Sequence, residues 1–76
     1  MTRDERFEAC FLKYKNLVMR FVIDATGDYQ AAQEICQQVF VRYYEYIDRV
    51  SPDFEKAWLI RCTQNAVIDY PRKNKR

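Results

Sequence analysis

Asp4-Glu5-Arg6-Phe7-Glu8-Ala9-Cys10-Phe11-Leu12-Lys13-Tyr14-Lys15-Asn16-Leu17-Val18-Met19-Arg20-Phe21-Val22-Ile23-Asp24-Ala25-Thr26-Gly27-Asp28 is the stretch that decides the fold. Phe7, Phe11, Tyr14, Val18, Phe21 and Ala25 recur in steps of four and three, which aligns side chains on one face of an α-helix. The stripe predicts a helix from about Asp4 to Thr26. Asp4, Glu5 and Glu8 suit its positive N-terminal end, and Gly27 can adopt the left-handed conformation that closes it. Asp28 is then placed to cap a second helix.

That second helix reads from Tyr29 to about Val50. Ala32, Ile35, Val39, Tyr43, Tyr46 and Val50 share one side, and Cys36, Phe40 and Ile47 widen it. A two-residue turn between two long helices predicts an antiparallel pair. The hydroxyls of Tyr43, Tyr44 and Tyr46 are expected to reach outward past buried rings. The opposite face carries Glu34, Gln37, Gln38, Glu45 and Asp48 around Val41. Val41 reads either as an ordinary exposed aliphatic or as the apolar centre of an amide-rich docking surface.

Ser51-Pro52-Asp53 is a helix start, with Ser51 or Asp53 as cap and Pro52 at the first helical position. The third helix is expected to end near Tyr70, because Pro71 lacks an amide hydrogen and biases its predecessor toward extended backbone. Residues 71–76 then form a basic tail. Phe54, Trp58, Arg61, Asn65 and Ile68 lie on one face, and Leu59, Cys62, Ala66 and Tyr70 on another that can close the core. A helix apolar nearly all round is expected to be mostly buried, which favours Trp58 as a core anchor over a base-stacking platform. Asn65 could satisfy buried backbone groups or present its amide to the edge of an exposed base.

Composition agrees with an all-α domain. The 76 residues include one Gly and two Pro, too few turn formers for a sheet, and 49% are hydrophobic, enough for one small core. A compact bundle of three or four helices is expected, with the long antiparallel pair and a third helix packed across it. The net charge of +2 conceals an asymmetry: residues 61–76 hold five basic groups against Asp69, whereas residues 1–60 hold eight basic and ten acidic groups. Attraction to phosphates is therefore concentrated in Arg61, Arg72, Lys73, Lys75 and Arg76.

Cys10, Cys36 and Cys62 are never closer than 26 residues, and the chain has no histidine. No metal-ligand spacing results, and reduced thiols buried as small hydrophobes in a cytoplasmic protein are expected. Without histidine, a Gly-rich phosphate loop or a ligand cluster, the sequence argues against an enzyme and offers no cofactor site. The apolar runs fall far short of the roughly 20 residues that a membrane span requires, and no targeting segment is visible.

Ala32-Gln33-Glu34-Ile35-Cys36-Gln37-Gln38-Val39-Phe40 resembles the Ala-Glu-Asp-Leu-x-Gln-Glu-Val-Phe signature of bacterial RNA polymerase sigma factors. Trp58-Leu59, followed by Arg61, Asn65, Asp69 and Arg72-Lys73, resembles the matching downstream signature in the same register. Order and spacing are similar to region two of the extracytoplasmic-function group, from about Phe7 to Arg76. The resemblance implies a single region-two domain over residues 1–76, with no region four. It further implies docking on the clamp helices of the largest subunit of RNA polymerase core, and recognition and opening of the minus-ten promoter element.

On that resemblance Glu34, Gln37 and Gln38 fall at polymerase-contacting positions, and Val41 lies on the same face. Arg61 and Asn65 fall in the segment that meets the non-template strand, with Asn65 near the pocket for a flipped base and Arg72, Lys73, Lys75 and Arg76 holding the backbone. An anti-sigma protein that masks the docking surface is a further implied partner. Gln33 and Gln38 depart from the acids usual in the family, and Pro71 interrupts the stretch that leads to the base-selecting loop. Two other readings of the residues are a small helical DNA-binding regulator that acts without polymerase and a protein-interaction module.

Overall fold

The computed structural model describes residues 1–74, with side chains described through Tyr70. Among the described residues it forms three α-helices, α1 (Arg3–Thr26), α2 (Tyr29–Tyr46) and α3 (Glu55–Asn74), and no strand. Two 3-10 turns, Ile47–Arg49 and Pro52–Phe54, connect α2 to α3.

Local chemistry sets the ends. Thr2 and Glu5 form a reciprocal cap on α1: the Thr2 hydroxyl accepts from the Glu5 amide at 3.1 Å, and the Glu5 carboxylate accepts from the Thr2 amide at 2.9 Å. Gly27 closes α1 at φ 69°, a conformation that costs a side-chain-bearing residue dearly. Its N–H donates to the Ile23 carbonyl at 2.7 Å. Asp28 caps α2 by accepting from the Ala31 amide at 3.1 Å. Ser51 rather than Asp53 caps the second 3-10 turn, with its side chain accepting from the Asp53 amide.

The α1–α2 pair is antiparallel, as contacts from Arg3–Asp48 through Phe7–Tyr43 to Phe11–Phe40 show. The Phe11 and Phe40 rings meet edge-on at 5.0 Å, a favoured aromatic geometry. α3 closes the bundle against both partners, from Glu55 beside Arg6 to Tyr70, whose hydroxyl donates to Asp28 at 3.0 Å. The core joins Val18 and Val22 of α1, Ala32, Ile35, Val39, Phe40 and Tyr43 of α2, Ile47 and Val50 of the connector, and Leu59 of α3. Each fully buried large side chain contributes roughly 1.5–3 kcal/mol of transfer free energy. Thr63 is the buried polar residue among those described, and its hydroxyl is satisfied by the Leu59 carbonyl at 2.7 Å.

Several expectations are corrected. The buried residues of α1 are Cys10, Val18 and Val22, with Phe21 half-buried and Ala25 exposed, so toward its C-terminal end the contact stripe passes through Val22 rather than through Phe21 and Ala25. The α-helical hydrogen bonding of α2 ends at Tyr46 rather than Val50, and Tyr46 is exposed instead of inward. The Tyr43 hydroxyl points inward, donating to Glu55 at 2.7 Å. Phe54, which falls in the second 3-10 turn rather than in α3, is 65% exposed, and within α3 Ile68 is 63% exposed beside exposed Arg61, Gln64 and Asn65, so α3 buries one face only and is not surrounded.

α3 also runs past Pro71 to Asn74. Proline there forfeits one bond, to the Val67 carbonyl, in the last turn of a helix already anchored by Leu59 in the core and by the Tyr70 bond to Asp28, so the loss is confined to that carbonyl. The expected tail is therefore helical as far as Asn74, and Lys75 and Arg76 lie outside the described residues.

Candidate functional site

Residues 31–40 of α2 alternate two buried and two exposed, a pattern that leaves a clean outer face of Gln33, Glu34, Gln37 and Gln38. Val41 continues that face at 59% exposure, followed by exposed Arg42 and Glu45. Burial of Ile35, Cys36, Val39 and Phe40 beneath it fixes the rotation of α2, so the amides are held outward by the core. An exposed aliphatic framed by amides suits the centre and rim of a protein contact.

The outer face leads into a groove between α2 and α3. Gln37, Gln38, Val41, Arg42 and Glu45 line one wall, and Cys62, Asn65, Ala66 and Asp69 the other. On the far side of α2 a second hollow, toward α1, is lined by Glu34 and Gln37 together with Lys15, Arg20 and Phe11. Gln37 borders both hollows. Three of the residues assigned to polymerase docking thus share a groove with Asn65, assigned to DNA, whereas Glu34 sits in the adjoining hollow.

Arg61 is exposed on α3 and lies outside the groove. It precedes Asn65 by four residues, so the two side chains stand about 6 Å apart along one helix face. Asn65 is itself exposed, which removes the alternative that its amide serves buried backbone. Trp58 is half-buried, packed on the core and in edge contact with Tyr43 at 5.9 Å. Arg72 and Lys73 belong to the last turn of α3, and their side chains, like Lys75 and Arg76, lie outside what is described.

The groove is amide-rich and weakly acidic, with Arg42 set against Glu45 and Asp69. Outside the groove lies exposed Arg61, followed in the sequence by the basic residues Arg72, Lys73, Lys75 and Arg76. Burial pushes the Cys62 thiol up against the opposing effect of Arg42, so it stays protonated at neutral pH. Cys10 and Cys36 are likewise raised by burial, and all three cysteines are free. Among the described residues no cluster of His, Cys, Asp or Glu could hold a metal, and no helix is long and apolar enough to cross a membrane.

Arg42, Cys62 and Asp69 are groove residues that sequence reasoning did not assign. Arg42 falls four residues after Gln38, a helical spacing that could have placed it on the same face. The α3 wall could not be found this way, because it depends on how α3 is rotated against α2.

Comparison with known proteins agrees with this architecture. Residues 10–76 match the family model for sigma-70 region 2. Over all 76 residues the chain is 37% identical to the ECF RNA polymerase sigma factor SigM of Bacillus subtilis (strain 168). The chain spans 44% of the length of that relative. No solved structure matches. The helical bundle, the amide-bearing outer face of α2 and the family match over residues 10–76 place the chain in the sigma-70 region 2 family.

Proposed function

We propose that this chain acts as the region-two module of a transcription initiation factor. It docks on the clamp helices of the largest subunit of RNA polymerase core through Glu34, Gln37, Gln38 and Val41. With Arg61, Asn65, Arg72, Lys73, Lys75 and Arg76 it captures the non-template strand of the minus-ten promoter element. The observation that carries the reading is the continuity of the exposed α2 face with Asn65 across one groove. A polymerase docked on α2 would then border the strand held on α3, so that protein and DNA contacts reinforce one another.

The work is done by binding energy. Arg61 supplies a charge for a backbone phosphate, while Asn65, one turn on, offers both a donor and an acceptor to the edge of an unstacked base. Extruding a base costs a few kcal/mol, and capture of the exposed base and backbone offsets that cost. Basic groups at the end of α3 add a salt-dependent hold on the phosphates. An anti-sigma protein covering the α2 face would silence the module by excluding the clamp.

Asn65→Ala tests the division of labour. Bound to core polymerase, the variant should keep its affinity for core and lose roughly ten-fold in capture of promoter single strand, corresponding to one base-edge contact of about 1–3 kcal/mol. Equal capture by wild type and variant would remove Asn65 from the DNA surface.

A further inference from the structure

The corner where α3 begins is tied by polar groups drawn from every helix. The Arg6 guanidinium on α1 donates from Nε to Glu55 Oε2 at 2.8 Å and from Nη1 to the Ile47 carbonyl at 2.9 Å, and Nη2 donates to the Val50 carbonyl. The Tyr43 hydroxyl on α2, in a side chain with no exposure, donates to the same Glu55 oxygen at 2.7 Å. The side chains of Arg6 and Glu55 are only 21% and 15% exposed. Burial and the bond to Glu55 push the Tyr43 hydroxyl far up, so it remains a donor at any working pH.

Glu55 is the first residue of α3. The helix is a stiff rod on which each residue advances about 100° and 1.5 Å, so an orientation imposed at Glu55 carries through Trp58 to Arg61 and Asn65. Apolar contacts at Leu59 are non-directional and tolerate a small roll of α3, whereas the Arg6 Nε–H and the Tyr43 hydroxyl converging on one Glu55 oxygen, with the rest of the guanidinium held by the Ile47 and Val50 carbonyls, do not. Resting on the proposed strand-capture role, we propose that Arg6, Tyr43 and Glu55 form a positioning unit that sets the rotation of α3 and so the presentation of Arg61 and Asn65.

Tyr43→Phe keeps the ring and removes one directional bond, while Arg6→Lys keeps a charge for Glu55 and loses the fork that also reaches two carbonyls. Both variants and Asn65→Ala are bound to core polymerase. They are challenged with a fluorescent single-stranded oligonucleotide selected from a random pool by the wild-type complex. In the free chain, whose lone tryptophan stands beside Tyr43 and Tyr46, Trp58 emission reports the geometry of the corner.

Tyr43→Phe and Arg6→Lys should retain wild-type helicity and core affinity within about two-fold, lose five-fold or more in strand capture and shift Trp58 emission. Capture unchanged in both while Asn65→Ala is defective overturns the positioning role and leaves the strand-capture reading standing. Core affinity and capture lost in parallel also overturn it, since that is what a merely structural bond produces. Capture unchanged in all three variants overturns the strand-capture reading and the positioning role with it.

Discussion

Truncating Leu59 and Val41 in parallel asks which sides of α2 and α3 face the core. Leu59 has no exposure and Val41 is 59% exposed, although the two stand on neighbouring helices of one bundle. Leu59→Ala removes three carbons from a packed site, for which the transfer and cavity terms together amount to about 3 kcal/mol. A chain of 76 residues is expected to have a total stability of roughly 4–11 kcal/mol, so this one change removes a large fraction of it. At about 4–8 °C per kcal/mol for a domain of this size, the melting temperature should fall by roughly 12–24 °C. Val41→Ala should stay within about 0.5 kcal/mol of wild type. Urea and thermal unfolding followed by far-ultraviolet circular dichroism measure both. A loss below about 1 kcal/mol for Leu59→Ala, or above about 1.5 kcal/mol for Val41→Ala, would refute the reasoning. The groove wall would then be core, and Asn65 would not be open to a ligand.

Other consequences follow from the helix ends and the thiols. Gly27→Ala meets no atom within 4 Å, so its cost should be purely conformational, about 1 kcal/mol for a left-handed residue, and Gly27→Asn should recover part of it in the same unfolding assay. The Asp28 carboxyl is held below its ordinary value of 3.8 by the Ala31 amide and the Tyr70 hydroxyl. The unfolded chain therefore takes up that proton first. The stabilisation is complete above about pH 4 and is lost as pH falls through the depressed folded value, so the melting temperature of Asp28→Asn should fall less steeply between pH 5 and pH 2 than that of wild type. Burial raises the thiols of Cys10, Cys36 and Cys62, so alkylation by iodoacetamide at pH 7.5 should be slow in the native chain and fast in urea, with half-buried Cys62 the first to react.

Much of the fold is legible because its signals are local. Gly27, Asp28 and Ser51 mark helix ends through their own backbone and side-chain chemistry, and the spacing of Ile35, Val39 and Tyr43 marks a buried face. What escaped depends on partners far away in sequence. The connector carbonyls of Ile47 and Val50 are taken by Arg6, more than 40 residues earlier, and no local pattern around Val50 encodes that. Tyr43 turns its hydroxyl inward for the same reason, to meet Glu55. Pro71 is a helix terminator by propensity, which tertiary anchoring of α3 outweighs. For the candidate site, the outer face of α2 was legible from period alone. The meeting of that face with Asn65 was not, because it requires the rotation of α3, which is fixed by packing and by the Arg6–Glu55 corner.

The central claim is that the α2 face docks on polymerase, and binding of the chain to purified bacterial RNA polymerase core tests it most directly. The control is the Glu34→Ala, Gln37→Ala double variant, in which both changed side chains are exposed and the core is untouched. The account predicts saturable binding by the wild-type chain and a loss of ten-fold or more in the double variant with its helicity preserved. A folded wild-type chain that fails to bind its cognate core, or a double variant that binds as well as wild type, would contradict it.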